Sequence, residues 1–384
     1  MEQLINIPKT KKKLAIIGSH FGQQEIFDKA KEMGIETHCF AWDKGQHSLC
    51  KNFVDYYYPI SALDKERILE VCREIKIDGV IARLPAFLPT ACYIAQAMNL
   101  PGNKYEDALF MINKHNQRQA FLKHGVSSPR FVLVSENIDL SGFDYPLIVK
   151  PADRCSSTGV KLVENREDLN KAVNQALEFS FSKKVLVEQY IEGKDVSVNP
   201  ISWNGKHYRM AVRDKKTTGA PFFVEIEYHE PSELSDDIQA KVIAEAGKAL
   251  AALNFNYGPS NIDIKVTEAG EVYIIEINPR TAGAVTHELV RLATGWDMHK
   301  AWIDLALNQF EEPVITQNKY AGIYSLGKNT EWVKQVIENK DNDPDIITAK
   351  IWDDELHYLE CSNDKSGYFI YQSEQKRRWG HNNQ

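Results

Sequence analysis

Two alternating segments, Asn261-Ile-Asp-Ile-Lys-Val266 and Val272-Tyr-Ile-Ile-Glu-Ile-Asn278, flank the turn signal Glu268-Ala269-Gly270. Apolar residues at every second position on both sides of a glycine break predict one antiparallel hairpin with a buried face. If Ile262 and Ile264 share that face with Ile275 and Ile277, cross-strand partners must sum to an odd number. The simplest such register sets Asp263 opposite Glu276 and Asn261 opposite Asn278. Side chains opposed in this way lie about 4.5–5.5 Å apart at Cβ, where like charges destabilise. A divalent cation between the carboxylates removes the conflict. Asp, Glu and the Asn carbonyl are all oxygen donors, which suits Mg²⁺ and not zinc. Asp263, Glu276 and Asn278 are the candidate metal ligands, and Arg280 beside them points to an anion that the metal holds.

The hairpin sits late in a chain whose first part follows a different rule. From residue 14 to about 112, strands and helices alternate. Leu14–Ile17 reads as a strand, and Gln23–Met33 as a helix with Ile26, Phe27, Ala30 and Met33 on one face and Gly34 as its stop. Ile35–Phe40 is a second strand, and a helix carrying Ile68, Leu69, Cys72 and Ile75 leads to a third strand at Gly79–Ala82. Alternation at this spacing means a parallel, Rossmann-like sheet. Its first turn, Gly18-Ser-His-Phe-Gly22, lacks the GxGxxG pattern, so one wall of a substrate cleft is a better use for it than a dinucleotide site. No Walker A sequence occurs.

From about residue 113 the pattern becomes α+β. Asn116–His124 reads as a helix, Leu147–Lys150, Val160–Val163 and Val185–Tyr190 as strands, and Leu234–Leu253 as a long Ala-rich helix. After Pro313, short strands at Ala321–Leu326, Ile346–Trp352 and Gly367–Tyr371 predict a small β-rich cap, with a frayed tail from Lys376-Arg377-Arg378 onward.

Net charge of −7 means that any polyanion site must be a local cluster, and no basic stripe interleaved with aromatics marks a nucleic-acid partner. Six cysteines without a CxxC pair read as reduced core residues of a cytoplasmic protein. Lys11-Lys12-Lys13 precedes an apolar run too short for a signal peptide, and no stretch is apolar enough to span a bilayer, so no membrane partner is expected.

Two polar loops complete the chemistry. Asp153-Arg-Cys-Ser-Ser-Thr-Gly159 follows Val149-Lys150-Pro151. Its hydroxyls and N–H groups suit phosphate oxygens, with Lys150 adding a point charge, although an ordinary hairpin loop would read the same. Val185-Leu-Val-Glu-Gln-Tyr-Ile-Glu-Gly-Lys-Asp195 is an apolar strand opening into a connector whose backbone could meet an adenine edge and whose Asp195 could accept from ribose hydroxyls.

Taken in order, these pieces resemble the ATP-grasp ligases, in particular the branch similar to carbamoyl-phosphate synthetase and the amino-acid ligases. The matching text is Asn113-Lys114, Ile148-Val-Lys-Pro-Ala-Asp with Ser-Ser-Thr-Gly-Val160, Val187-Glu-Gln-Tyr-Ile-Glu-Gly193, Asn261-Ile-Asp-Ile-Lys265 and Ile275-Glu-Ile-Asn-Pro-Arg280. The resemblance implies an α/β and α+β architecture in three parts: a Rossmann-like pre-ATP-grasp domain (1–112), an ATP-grasp domain (113–312, with a mobile lid at about 126–190) and the cap (313–384). It implies ATP as cofactor with one or two Mg²⁺ ions, or Mn²⁺. Lys114 and Lys150 would hold phosphates, and the loop bearing Ser156, Ser157, Thr158 and Gly159 would close over them. Glu188 would position Lys150 or the adenine amino group, Gln189, Tyr190 and Ile191 would present backbone to the base, and Asp195 would hold the ribose. Asp263, Glu276 and Asn278 would ligate metal, with Arg280, Lys150 and Asn278 acting on the transferred phosphoryl group.

The implied reaction joins a small-molecule carboxylate to an amine, with an amino acid, peptide or amino sugar as acceptor and a homodimer as the expected assembly. Carboxylate–thiol or carbamoyl-forming chemistry uses the same ATP site, and a nucleotide sensor without turnover is the rival from another class. Biotin-dependent carboxylases carry a glutamate four residues after the arginine, where this chain has Ala284, and no Met-Lys-Met site occurs. D-alanine–D-alanine ligases place an arginine where this chain has Asn261. For the second substrate, Arg83, Arg213 and Lys215 are candidate carboxylate binders, with solvated turns as the alternative. His287, Glu288, Trp42 and Asp43 are equally open to a surface role.

Overall fold

The computed structural model describes residues 11–18, 24–42, 50–134, 140, 142–154, 158–281, 283 and 285–380. They form two compact units. The first comprises the chain up to Leu109 together with Asn256–Gly258 and Met298–Glu312, and the second comprises the remainder.

The first unit is built on a parallel sheet ordered Tyr56–Tyr58, Glu36–Phe40, Lys13–Ile17, Gly79–Ala82. The alternation read from sequence is present, with helices at Gln24–Glu32, Lys65–Ile75 and Leu88–Ala97. Strands covered on both faces need continuous apolar runs, and Leu14, Ala15, Ile16 and Ile17 are all buried. The edge strand Tyr56–Tyr58 escaped prediction because it is short and aromatic rather than aliphatic; Tyr58 stacks on Phe40 with ring centroids 4.7 Å apart. Helix Met298–Ala306 returns to this unit. Gly79 permits its close approach, since a Cβ there would lie 2.6 Å from the Ala306 carbonyl oxygen. Cys39, Cys50, Cys72 and Cys92 are buried free thiols, and Cys155 lies outside the described residues.

Among its described residues the second unit holds a smaller, four-stranded and a larger, eight-stranded antiparallel sheet, besides the short antiparallel pair Ile201–Trp203 and Lys206–Tyr208. The smaller is ordered Phe131–Val134, Val185–Gln189, Leu147–Pro151, Lys161–Val163. One face is covered by helix Arg166–Phe179, which the sequence reading passed over. Its signals are present all the same. Asn165 caps it by accepting from the Asp168 N–H, and Leu169, Ala172, Val173 and Ala176 form the buried stripe.

The larger sheet has eight strands: Val272–Asn278, Asn261–Val266, Lys194–Val198, Val212–Thr217, Glu225–Glu230, Tyr320–Leu326, Gly367–Ser373 and Ile346–Ile351. The strands after Pro313 therefore continue the sheet that carries the hairpin, through pairs such as Tyr228 with Ile323. The expected frayed tail is corrected as far as Gly380. Lys376 pairs with Asp214 and Glu233, Arg377 with Asp343 and Asp345, and Arg378 with Glu233. Trp379 packs on Phe369, Tyr371 and Tyr324. Charge alone suggested solvent here, but acidic partners distant in sequence hold the segment down. No helix among the described residues is long and apolar enough to cross a membrane.

Candidate active site

Strands Asn261–Val266 and Val272–Asn278 pair in the register read from sequence at one end: Asn261 faces Asn278, and Asp263 faces Glu276. The premise about the buried face needs one correction. A bulge follows Asp263, so that Ile264 pairs with Ile274, and the buried partner is Ile274 rather than Ile275. The extra residue at Ile275 lets the aliphatic residues near the turn and the acids near the strand end each keep their face. At the turn, Gly270 adopts φ +76°, the conformation its lack of a side chain allows.

Each acid meets a lysine from another element. Asp263 Oδ1 lies 2.8 Å from Lys215 Nζ, and Glu276 Oε1 lies 2.5 Å from Lys114 Nζ. Asn261 Nδ2 donates to Asp263 Oδ2 at 3.2 Å and is backed by Asn199, whose Nδ2 donates to Asn261 Oδ1 at 2.7 Å. Burial pushes the Asp263 carboxyl up, Lys215 opposes this, and the nearby Glu225 and Glu276 add to the rise. Burial also acts on Glu276, but Lys114 and Lys150 outweigh it and hold that carboxyl below the usual carboxylate range. Opposed carboxylates under this tension, with amide oxygens beside them, form an all-oxygen donor set of the kind a hard divalent cation takes. The residues fit Mg²⁺.

Helix Lys114–Lys123 supplies the next layer. Asn113 caps it by accepting from the Asn116 N–H, which places Lys114 in the first turn. Lys114, Gln117 and Arg118 then fall on one face at i, i+3 and i+4. Together they hold three consecutive hairpin residues. Lys114 takes Glu276, Gln117 donates to the Ile277 carbonyl at 2.7 Å and accepts from the Ile277 N–H at 3.0 Å, and Arg118 donates to the Ile275 carbonyl at 2.5 Å. The sequence reading singled out Lys114 alone. The i, i+3, i+4 spacing of Gln117 and Arg118 was the available signal.

Lys150 and Glu188 project from neighbouring strands of the smaller sheet, where Ile148 opposes Glu188, so Lys150 is its diagonal neighbour on the same face. Lys150 Nζ lies 2.6 Å from Glu188 Oε2. Burial lowers the affinity of the Lys150 amine for its proton, with Glu188 opposing. Burial acts against ionisation of Glu188 too, yet Arg118 and Lys150 outweigh it and hold the carboxyl below its ordinary value.

The remaining candidates are placed as follows. Asp195 pairs with Lys265 at 2.9 Å. The N–H groups of Gln189 and Tyr190 donate to the carbonyls of Arg130 and Pro146, Ile191 is buried, and the Tyr190 ring lies 6.2 Å from that of Phe223. Thr158 and Gly159 are described, the latter at φ +73° against Pro151 and Phe179, while Ser156 and Ser157 lie outside the described residues. Asp153, at the base of this loop, accepts from the Ser180 hydroxyl and from the N–H groups of Phe181 and Ser182. Arg280 donates to the Thr281 carbonyl at 2.7 Å. Arg213, a candidate carboxylate binder with a solvated turn as the alternative, is buried, with its guanidinium on Glu230 and the Thr286 carbonyl. Lys215 turns to Asp263. Glu288 makes a surface pair with Arg291. Arg83 and Trp42 belong to the first unit, and Asp43 is outside the described residues.

An ATP-grasp domain model matches residues 143–288. The alanine–anticapsin ligase of Bacillus amyloliquefaciens is 25% identical over 62% of this chain. The chain spans about half the length of the curated relatives it matches, 56% in that case. In structure it is similar to an L-amino acid ligase from Bacillus licheniformis, with a TM-score of 0.78 and 23% identity over 96% of this chain and 94% of that one. N5-carboxyaminoimidazole synthetase from Staphylococcus aureus, complexed with ADP, has a TM-score of 0.76 and 17% identity over 96% of both chains. Fold and matched domain agree: residues 143–288 match the ATP-grasp domain, and the fold around them is similar to that of ATP-dependent ligases.

Proposed function

We propose that the protein is an ATP-dependent, ADP-forming ligase that joins a small-molecule carboxylate to an amine through an acyl phosphate. An amino acid, peptide or amino sugar is the acceptor. The observation that carries this reading is the facing pair Asp263 and Glu276, each matched by a lysine and flanked by Lys150 and Asn278. The alanine–anticapsin and L-amino acid ligases among the relatives support the amino-acid acceptor, and the ADP complex of the S. aureus neighbour supports a nucleotide.

Transfer of a phosphoryl group to a carboxylate brings two anions together, so cations must be fixed where they meet. Lys114, paired with Glu276, and Lys150, whose charge also acts on Glu276, stand beside that acid for the polyphosphate, and Arg280 follows Asn278 by two positions for the acyl phosphate. Asp263, Glu276 and Asn278 would hold Mg²⁺, which when bound supplies Lewis-acid polarisation of the phosphate oxygens. Asp195 takes the ribose, and Tyr190 with Ile191 borders the base. The loop from Asp153 to Gly159, anchored at Asp153, keeps water from the acyl phosphate.

The test is ADP formation across panels of carboxylates and amines, with carboxylate oxygens labelled with oxygen-18. Turnover that requires both substrates and carries label into phosphate supports the reading. Binding of ATP without acid-dependent ADP formation across a broad panel overturns it in favour of a sensor.

A further inference from the structure

Arg118 is among the largest fully buried side chains of the protein, 1% exposed, and the ligase reading leaves it without a task. Its guanidinium joins two sheets. On the smaller sheet, Nε lies 2.8 Å from Glu188 Oε1, and Nη2 donates to Glu188 Oε2 at 3.2 Å. On the larger sheet, Nη2 donates at 2.5 Å to the carbonyl of Ile275, the bulge residue beside Glu276. Glu188 Oε2 is the same oxygen that Lys150 Nζ approaches at 2.6 Å. One carboxylate therefore holds two cations, and one of those cations is anchored to the metal hairpin.

A lysine is a point charge on a flexible stem, so its ammonium is only as well placed as the group it pairs with. Glu188 alone could turn with Lys150. With its carboxylate also held by the Arg118 guanidinium, which donates to Oε2 and lies beside Oε1, and that guanidinium pinned by the Ile275 carbonyl, it cannot. Removing one partner of such a buried pair leaves an uncompensated charge and frees the other.

We propose that Arg118 is a positioning residue that sets the place of the Lys150 ammonium through Glu188, and so the affinity for the nucleotide polyphosphate, without touching the nucleotide itself. This rests on the ligase reading in one respect, that Lys150 meets phosphate. The test uses the full-length protein with Mg²⁺ and the β,γ-imido analogue of ATP, measured by calorimetry, and adenosine measured by saturation-transfer NMR. Arg118→Met and Lys150→Met should each weaken the analogue by about tenfold, and the double variant should be no more than about threefold weaker than Lys150→Met alone, because coupled residues are non-additive. Adenosine binding should be unchanged in all of them. Losses that multiply in the double variant, or adenosine affinity that falls together with that of the analogue, would give Arg118 a packing role only and overturn the proposal. Should Arg118→Met not fold, Arg118→Lys keeps the charge but reaches only one of the two acceptors, and it should weaken the analogue while sparing adenosine. A folded Arg118→Lys protein with wild-type affinity for the analogue would also overturn it. Absence of analogue binding by the wild-type protein would instead strike the ligase reading itself.

Discussion

Asp263 and Glu276 owe their chemistry to a register, not to their own types. Either acid alone on a strand would be ordinary; opposed across one rung and each matched by a lysine, they become a candidate cation site. Glu276→Ala should leave the fold intact by circular dichroism and lower kcat by about 10²–10³. Near wild-type ADP production would contradict its role. A second residue-scale prediction concerns acid stability. The hydrogen bond from Arg377 holds the Asp343 carboxyl below the usual carboxylate range. Its folded-state value is depressed, so its contribution is present above the unfolded value near 3.9 and is lost as pH falls through the lower, folded value. Asp343→Asn should cost about 0.5–1 kcal/mol at neutral pH, because the pair is partly exposed, and the deficit should vanish at the acid end of a urea-melt series. A deficit that persists there would place the effect in packing.

At the scale of elements, one end of the hairpin that bears Asp263 and Glu276 was legible because alternation fixes faces, and faces limit register. The bulge at Ile275 was not, since inserting one residue changes no residue type and leaves the local pattern intact. Helix Arg166–Phe179 carries both its cap and its apolar stripe in sequence, so its signals were legible there. Gln117 and Arg118 were hidden for a different reason. Polar residues on a helix read as solvent-facing until a partner strand is known, and here that strand is about 160 residues away. The C-terminal segment makes the same point. Trp379→Ala should lower stability by about 2 kcal/mol, read as a shift in the urea midpoint. No shift would mean that the aromatic cluster of Tyr324, Phe369 and Tyr371 does not need it.

For the whole molecule, the parallel sheet of the first unit and the order of motifs in the second were both readable from sequence, whereas the division of the chain was not. Helix Met298–Ala306 belongs with the first unit although it follows the hairpin, and the strands after Pro313 extend the hairpin's own sheet. Such returns depend on tertiary packing, with Gly79 as the local concession that admits one of them. The identity of the substrates depends on loops, whose side chains follow no periodic rule. The central claim is that the two facing acids bring a metal-bound nucleotide into the second unit. Calorimetric titration of ATP with Mg²⁺, into the wild-type protein and into a folded Asp263→Asn/Glu276→Gln variant, tests it most directly. The account predicts magnesium-dependent uptake by the wild type and at least about a tenfold loss in the variant, since charge-assisted contacts to the metal are removed. Equal binding by both proteins, or none by the wild type, would contradict it.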